Sequence, residues 1–522
     1  MNALLGMELR SSTAKGTANK VWGYVPDRGE RIVAPTIPSE VITPNNPPTG
    51  WGILGDIYSR GWQRTDNTNN FLSFFATFAY SFKNRYVVNA NVRNDASNVF
   101  GQDINHRIDP TYSFGLSWRA SEEAFFQKHL KWITTLNFRG TFGIQGNALT
   151  RESPELILSQ QGVQPGYNRY FSTIGQIPNP YLSWERTRNW NFGVDLELFR
   201  MFYMNLEYYT RRSNAVITVD LPFEYGIDDM KRNGGIIYNR GIEYTLSFTP
   251  IQKRDFSLNI NLNASKNWNK GGETKIDRNT AMYLRGGSTQ ILKEGYPLSA
   301  FWSYSFAGLD GSNGKPMFNY VEVPDEEKSK SIDPTTYLVY SGETEPYFTG
   351  GLGFSFRYKS LSLNTSFSLL LGSKKRLPSP YSDFQGSGSM MPDPTKNVNR
   401  DLLNRWQKPG DEVYTNIPGL PTWPIEIGWT LPNTDSAESA IEMWEKSDAM
   451  VVSGSFLRCR NIGLSWQMKK EWCDKIHAKN LAINFNMDNI FVIASKRFNG
   501  FDPELENSIM PRSFSLGLNI GF

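Results

Sequence analysis

Few residues in this chain have the types and spacing that catalysis requires. Adjacent carboxylates at Asp228-Asp229 and at Glu326-Glu327 could in principle donate and accept protons. Acidic residues that neighbour each other in polar segments are, however, usually solvated charge. The glycine-rich stretch GGSTQ from Gly286 precedes no helix with a Lys-Ser or Lys-Thr pair, so it does not predict a phosphate-binding loop. We therefore expect that the protein is not an enzyme.

Metal and redox chemistry have equally little support in the sequence. The three histidines, His106, His129 and His477, lie far apart and lack the spacing of a ligand set. Cys459 and Cys473 are the only cysteines, too few for a disulfide scaffold or a Cys-rich zinc module. The sequence therefore predicts two unpaired structural thiols, no metal site and no cofactor.

Composition narrows the class of protein further. The 522 residues include 55 Lys and Arg against 51 Asp and Glu, and a net charge of only +4 argues against nucleic acid as a partner. A mean hydropathy of −0.46, with no apolar stretch near the roughly 18 residues of a spanning helix, excludes a helical membrane protein. Aromatic residues nevertheless form 14% of the chain. This combination favours strands that face lipid on one side and water on the other.

Polar residues that could line a binding surface alternate with apolar residues along several segments. Between Trp190 and Leu198, and again between Phe256 and Ala264, every second residue is apolar over most of the segment. Successive side chains of a strand point to opposite faces, so each segment predicts a strand with one apolar and one polar face. In a membrane barrel the polar face would line the water-filled lumen. The predicted lumen-facing residues are Asn191, Asp195, Glu207, Asn259, Asn261 and Asn263.

The lengths of these segments and of their connections predict an antiparallel transmembrane β-barrel. We count about sixteen candidate strands, including weak ones near the start and around Trp302. The longer runs have about 9 to 13 residues, which is enough to cross a bilayer at a tilt. Short turns alternate with long loops, as periplasmic turns and extracellular loops do in outer-membrane barrels. The predicted turns lie at Lys83-Asn84, Phe199–Met201, Pro250–Asp255 and Lys359-Ser360, and the predicted long loops are Gln145–Glu185, Ser213–Asn239 and Ser373–Ser453.

The end of the chain has the pattern of a closing barrel strand. Its sequence SFSLGLNIGF places every second apolar side chain on one face and ends in an aromatic residue. Such an end resembles the signal by which outer-membrane barrels are recognised for assembly, and it predicts the outer membrane of a Gram-negative bacterium. The residues predicted to form this assembly signal are Phe514, Leu516, Leu518, Ile520 and Phe522.

Several longer segments carry distinctive combinations of residues in a fixed order. They are VRNDASNVFGQDINHRIDPTYSFGLSWRASEEAFF from Val92, LKWITTLNFRGTFGIQGNA from Leu130, NPYLSWERTRNWNFGVDL from Asn179, NRGIEYTL from Asn239, EGYPLSAFWSYSFAGLDGSNGKPMF from Glu294, RWQKPGDE from Arg405, SGSFLRCRNIGLSW from Ser453 and FNGFDPELEN from Phe498. Together they are similar to the SusC/RagA family of TonB-linked outer-membrane proteins, and they span nearly the whole chain.

This resemblance implies that residues 1–522 form the carboxyl-terminal portion of a 22-stranded TonB-dependent barrel. In the family, the segment resembling ALLGMELRSS at Ala3 lies inside the barrel, behind a signal peptide, a carboxypeptidase-like domain, a TonB box and a plug. These parts are expected to be absent from this chain, and a separate plug-bearing chain or segment is expected to supply them. The implied function is the import of bulky nutrients, glycans or peptides. The implied partners are a SusD-like surface lipoprotein, TonB acting through the plug, and the lipid bilayer.

The sequence also allows two functions other than transport. A split or degenerate SusC-like subunit could hold an outer-membrane complex together without transporting anything, and a surface enzyme is the weaker third possibility. Trp423 and Trp429 could stack on sugar rings, although aromatic residues also pack within loops. If an amino-terminal polypeptide completes the barrel, residues Ala3–Ser12 are expected to pair with its last strand.

Overall fold

The computed structural model describes most of the chain. The described residues are 1–19, 24–25, 31–32, 62–98, 109–147, 154–164, 169–221, 223–227, 229–272, 281–286, 292–319, 334–381, 397–420, 440–505 and 508–522. Strands dominate them: β1 (Asn2–Asn19), β2 (Tyr24–Val25), β3 (Arg31–Ile32), β4 (Trp62–Phe82), β5 (Tyr86–Ser97), β6 (Asp109–Arg119), β7 (Ile133–Asn147), β8 (Ile157–Gln164), β9 (Arg169–Gln176), β10 (Glu185–Leu198), β11 (Phe202–Asp220), β12 (Asp229–Gln252), β13 (Phe256–Gly271), β14 (Ala300–Leu309), β15 (Pro316–Asn319), β16 (Leu338–Glu343), β17 (Phe348–Tyr358), β18 (Leu361–Leu371), β19 (Lys374–Arg376), β20 (Val451–Ser453), β21 (Phe456–Gln467), β22 (Asn480–Ile493) and β23 (Ser513–Gly521).

Fourteen of these strands form one large sheet. Their order is β1-β4-β5-β6-β7-β10-β11-β12-β13-β17-β18-β21-β22-β23, and every neighbouring pair is antiparallel. The strands have 9 to 24 residues, so the longer ones exceed the 9 to 11 that cross a bilayer. The predicted all-β antiparallel class is confirmed. The number of strands in the large sheet is fourteen rather than about sixteen.

The connections alternate between the two ends of the sheet, because consecutive strands are antiparallel neighbours. At one end, which we call the short-turn rim, the connections are 83–85, 120–132, 199–201, 253–255, 359–360 and 468–479. At the other end, the predicted long connection after Gln145 extends from the end of β7 to Glu185, and the one after Ser373 extends to the start of β21. The predicted alternation of short and long connections is confirmed at these positions.

The long loop predicted over Ser213–Asn239 is wrong. The structure continues β11 to Asp220 and starts β12 at Asp229, so only residues 221–228 connect them. The pairing passes through an irregularity between Ala215 and Val216 and then resumes to the end of β11. The run Ala215–Val219 is rich in β-branched residues, which favour strands, so the strand extends beyond the predicted boundary at Ser213.

The candidate strand around Trp302 belongs to a different sheet. It is β14, which lies between β15 and β16 in a three-stranded sheet formed within the connection from β13 to β17. Its side chains contribute to a compact apolar core, in which Trp302 and Tyr304 are 2% exposed and Trp444 is 1% exposed. We call β14, β15, β16 and the residues of this core the loop module.

Helices are short and lie outside the large sheet. The α-helices are α1 (Ala124–His129), α2 (Ala281–Leu284), α3 (Ala440–Glu445) and α4 (Lys470–Lys475), and the 3-10 helices are Ala120–Glu122, Phe223–Tyr225, Pro334–Thr336, Arg400–Asn404, Asp411–Val413, Asp448–Met450 and Lys496–Phe498. Among the described residues, no helix is long and apolar enough to span a membrane.

Candidate functional site on the polar face of the sheet

The large sheet has one apolar and one polar face, as the alternation predicts. On β10, Trp190 and Phe192 point to the apolar face and are 47% and 52% exposed. The Trp190 ring packs against Phe142 of β7 with ring centroids 4.4 Å apart. Exposed aromatic side chains in cross-strand contact fit a surface covered by lipid rather than by water. The polar face is therefore the candidate functional surface.

Three of the predicted lumen-facing residues meet at one arginine on the polar face. Arg139 of β7 donates from Nη2 to Asp195 Oδ1 at 3.2 Å and to Glu207 Oε1 at 2.9 Å. Asn191 Nδ2 donates to the other oxygen of Glu207 at 3.2 Å, and Asn205 Nδ2 donates to Asp195 at 2.7 Å. Three adjacent strands thereby share one hydrogen-bonded cluster. The sequence did not identify Arg139 as its centre.

The other three predicted residues form an amide row along β13. Asn259 Nδ2 donates to Thr249 Oγ1 at 2.8 Å, and Asn261 Nδ2 donates to Asn259 Oδ1 at 2.5 Å. Asn263 lies beside Gly351 of β17, where a Cβ atom would collide with its amide oxygen. Glycine at this position leaves room for the amide to lie across the neighbouring strand.

Ion pairs are concentrated on some strands of the polar face, and amide and hydroxyl groups on others. Near the middle of β13 the polar face is neutral across three strands. Asn261 of β13 pairs with Gly353 of β17, and Gly353 pairs with Ser366 of β18. Arginine–carboxylate pairs occur mainly on β5, β7, β10 and β11. The polar face of β13 and β17 therefore offers mainly amides and hydroxyls, with Arg357 beside Ser257 as a charged exception, whereas β5, β7, β10 and β11 offer ionic contacts. The role of the six predicted residues as lumen lining stays a prediction.

A second ionic cluster ties the first strands of the sheet together. Arg93 of β5 donates from Nη2 to Ser73 Oγ at 2.8 Å and to Glu8 Oε2 at 3.1 Å. Its Nε donates to Asp95 Oδ1 at 2.7 Å. Arg93 and Asp95 belong to the VRNDAS segment that carried the family resemblance. That segment is the sequence signal that could have identified this cluster.

A buried ion pair anchors the connection between β22 and β23. Arg458 of β21 donates from Nη2 to both carboxylate oxygens of Asp502 at 2.6 Å, and their side chains are only 2% and 4% exposed. Arg458 Nε also lies 2.8 Å from Glu504 Oε2 as an ion pair, and Arg460 donates to Glu504 Oε1 at 2.7 Å. These residues come from the resembling segments SGSFLRCRNIGLSW and FNGFDPELEN, although no local pattern in either segment indicates that the two segments touch.

A half-buried cation beside the loop module is held by backbone carbonyl groups. Arg376 donates to the carbonyl of Trp302 at 2.6 Å, to the carbonyl of Arg285 and to Ser303 Oγ. Burial, together with the nearby Arg285 charge, lowers the pKa of Arg376 to about 10, so it stays protonated at neutral pH. Tyr381 donates to the carbonyl of Pro418 at 2.5 Å, and burial raises its pKa. These contacts fix the module as a folded unit at the long-loop end of the sheet.

Four of the predicted assembly residues lie on β23, Phe522 follows its last residue, and all five are exposed. Their exposed fractions are 64% for Phe514, 75% for Leu516, 60% for Leu518, 42% for Ile520 and 77% for Phe522. The strand pairs with β22 on one side only among the described residues. Exposure of this kind leaves an apolar face and an edge available for assembly. The assembly role itself stays a prediction.

We expect polar replacement of the terminal apolar face to block insertion. The variant Phe514→Gln/Phe522→Gln removes two aromatic side chains from the face that would meet hydrocarbon, and we expect surface-labelled protein to fall at least severalfold. The matched control is Ser515→Gln, which changes the opposite face of the same strand. Equal surface levels of the double variant and the control would disprove the assembly role.

Several other residues considered from the sequence lie outside the described residues: His106, Asp228, Glu326, Glu327, Trp423 and Trp429. Within the described part of the chain, no group of three or more His, Cys, Asp or Glu side chains could hold a metal ion. Cys459 and Cys473 are both buried, and neither forms a disulfide bond.

Comparisons with known proteins agree with this geometry. Residues 20–367 match the family sequence model described as "TonB dependent receptor-like, beta-barrel". The "TonB-dependent receptor P3" of Formosa agariphila is 23% identical over 502 residues, which cover 87% of this chain and 46% of that relative. The "TonB-dependent receptor SusC" of Bacteroides thetaiotaomicron is 25% identical over 486 residues, covering 87% of this chain and 44% of SusC. The chain spans about half the length of the curated relatives it matches.

Solved structures share the fold. The structure described as the RagAB peptide importer in the "open-open" state superposes with a TM-score of 0.70 at 21% identity. The superposition covers 100% of this chain and 52% of that one. At this identity the similarity establishes the fold and does not establish what the chain binds.

Proposed function

We propose, since the chain belongs to the TonB-dependent receptor-like β-barrel family, that it forms the carboxyl-terminal part of an outer-membrane importer for bulky nutrients. The observation that carries this proposal is the polar face of the fourteen-stranded sheet, with its apolar and aromatic face on the other side. In a barrel of this family the apolar face meets lipid and the polar face surrounds the substrate path. The six predicted lumen residues would line that path.

The remaining parts of the importer are proposed to come from outside residues 1–522. A plug-bearing amino-terminal segment or chain would gate the path and transmit energy from TonB. A lipoprotein like SusD would capture substrate above the long-loop end, where the loop module offers a rigid surface. The names of two similar proteins, SusC and the RagAB peptide importer, support this direction. The nutrient would be a glycan or a peptide.

A scaffolding role is the second candidate. The loop module supports it, because its buried core gives a folded surface that could hold other proteins without any transport. The two candidates differ in whether a plug and TonB contact accompany the chain. No described feature supports a surface enzyme as strongly as either of these.

Purification from outer membranes tests the proposal. A gentle detergent extract, followed by identification of every polypeptide bound to the chain, should yield a plug-bearing segment and a surface lipoprotein in stoichiometric amounts. Recovery of the lipoprotein without any plug-bearing segment would support scaffolding instead. The buried Cys459 and Cys473 allow thiol-based capture through an introduced cysteine with little background.

We also expect β1 to pair with a second polypeptide segment. Among the described residues β1 and β23 are the two ends of the sheet order, and an unpaired edge in hydrocarbon costs several kcal/mol for each unsatisfied backbone group. Cysteines introduced between Ala3 and Ser12 should therefore crosslink in intact membranes to a strand of the plug-bearing segment. The control variant is Thr77→Cys in β4, the strand that already pairs with β1; Thr77 lies opposite Leu4.

Crosslinking between the two edge strands of the chain itself would contradict this pairing. If cysteines in Ala3–Ser12 crosslink to cysteines in β23, the chain closes on itself. That result would shift the balance towards the scaffolding role.

A further inference from the structure

The six connections of the short-turn rim concentrate positive charge. Residues 83–85, 120–132, 199–201, 253–255, 359–360 and 468–479 contain twelve Lys and Arg residues and five carboxylates, a net charge of +7. The whole chain has a net charge of +4, which leaves −3 for all other residues. The excess of positive charge therefore lies at one end of the sheet.

Few of these charges are used inside the protein. Arg85 donates to Glu123 at 3.1 Å, and Glu123 also accepts from the Tyr86 hydroxyl, so this cation and this carboxylate neutralise each other. The Tyr86 hydrogen bond is the main reason that the pKa of Glu123 lies below its usual range. Most of the other cations, Lys128 and Arg200 among them, are exposed and make no ion pair within the described part of the chain.

Exposed aromatic rings accompany the cations on the outward face. Phe199 is 64% exposed beside Arg200, and Trp132, whose ring centroid is 5.7 Å from that of Phe199, is 45% exposed. Lys83 Nζ lies 5.3 Å from the centre of the Phe82 ring, and the matching distance from Lys359 to Tyr358 is 5.4 Å. Aromatic rings at membrane interfaces sit at the level of lipid headgroups, so these cations lie at the same level.

Four residues of the tight turns have a backbone conformation that is unfavourable for their side-chain types. Lys83, Phe199, Arg200 and Lys359 have φ angles of 49°, 53°, 57° and 51°, in the left-handed region. Two-residue hairpin turns of this conformation favour Asn and Gly, whereas long and aromatic side chains are strained there. Strained backbone positions persist where the surrounding structure holds them, and they cluster at functional sites.

We propose that the short-turn rim binds the acidic phospholipids of the adjacent membrane leaflet through their phosphate headgroups. Positive charge attracts anionic headgroups, and the neighbouring aromatic rings enter the interface beside them. The cations follow the whole row of turns from β4 to β22, which fits a lipid layer better than one compact protein partner. The location of the rim at the periplasmic leaflet rests on the proposed function.

The test uses the protein purified from outer membranes with its native partners and placed in nanodiscs. The variant Lys83→Asn/Arg200→Asn/Lys359→Asn removes three cations and puts Asn at the left-handed positions. We expect its affinity for added phosphatidylglycerol to fall about fivefold for each charge removed, roughly a hundredfold in total. In pure phosphatidylcholine its melting temperature should be equal to or above that of the wild type, because the turn strain is relieved.

A matched control removes three exposed cations from the opposite end of the sheet. The variant Arg232→Gln/Lys374→Gln/Lys408→Gln should keep wild-type affinity for phosphatidylglycerol. Equal affinity in both triple variants would overturn the proposal. Loss of a bound acidic polypeptide, rather than of phospholipid, from the first variant would also overturn it and would identify the rim as a protein-binding surface.

One further measurement separates this proposal from the proposed function. A cysteine at Lys359 should react with a membrane-impermeant reagent only after the outer membrane is permeabilised. Reaction in intact cells would contradict the proposed orientation of the importer. The nanodisc affinities would still decide whether the rim binds acidic phospholipid, because they do not depend on orientation or uptake.

Discussion

Replacing Arg458 with Met is expected to release the segment 494–512 from the sheet. The change leaves Asp502 buried without its cation, and removal of one partner of a buried ion pair costs about 3 to 5 kcal/mol. Hydrogen exchange of the backbone amides of 494–512 should accelerate by more than about a hundredfold, since each 1.4 kcal/mol corresponds to a factor of ten. The amides of β13 should keep their protection, because they lie far along the sheet order.

Two further variants serve as a rescue and as a control for Arg458→Met. The double variant Arg458→Met/Asp502→Leu removes both charges and should recover most of the lost protection. Lys15→Met breaks an exposed pair with Asp66, in which Lys15 is 69% exposed, and should change stability by no more than about 1 kcal/mol. Unchanged exchange of 494–512 in Arg458→Met would show that the ion pair does not anchor this segment.

Arginine at two adjacent positions of β13 is expected to have very different effects on stability. Ile260→Arg places a charge on the apolar face, and such a change costs about 2 to 4 kcal/mol near the bilayer midplane. Asn261→Arg places the same side chain on the polar face, where water or polar groups can solvate it. Unfolding measurements in lipid vesicles should therefore show a loss for the first variant and little change for the second.

The two variants are matched controls for each other, because the two substitutions add the same side chain one residue apart. Equal losses at the two positions would contradict the assignment of the faces. A larger loss at Asn261 than at Ile260 would mean that the sheet is reversed, with its polar face packed against other protein.

Local periodicity explains why much of the fold could be predicted. The alternation from Phe256 to Ala264 fixes a strand and its two faces, because side-chain direction in a strand repeats every two residues. The same rule assigned Asn191, Asp195 and Glu207 to one face, and the structure brings them together around Arg139. It failed beyond Ser213, where a local irregularity shifts the register and hides the continuing strand.

Contacts between distant segments could not be predicted in the same way. Arg458 and Asp502 are 44 residues apart, and nothing in either local sequence states that a loop folds back onto β21. The alternation around Trp302 also does not reveal which sheet the strand joins, since strands of both sheets bury apolar side chains. The core around Trp444 depends on segments that are far apart in sequence.

Uptake by intact cells directly tests whether the chain is part of a nutrient importer. Labelled oligosaccharides and oligopeptides too large for general porins would be offered to cells with the chain, cells without it and cells whose proton-motive force is collapsed. We expect that uptake of one of these nutrient classes requires both the chain and the proton-motive force. Undiminished uptake in cells without the chain, for every nutrient offered, would contradict an importer and leave the scaffolding role.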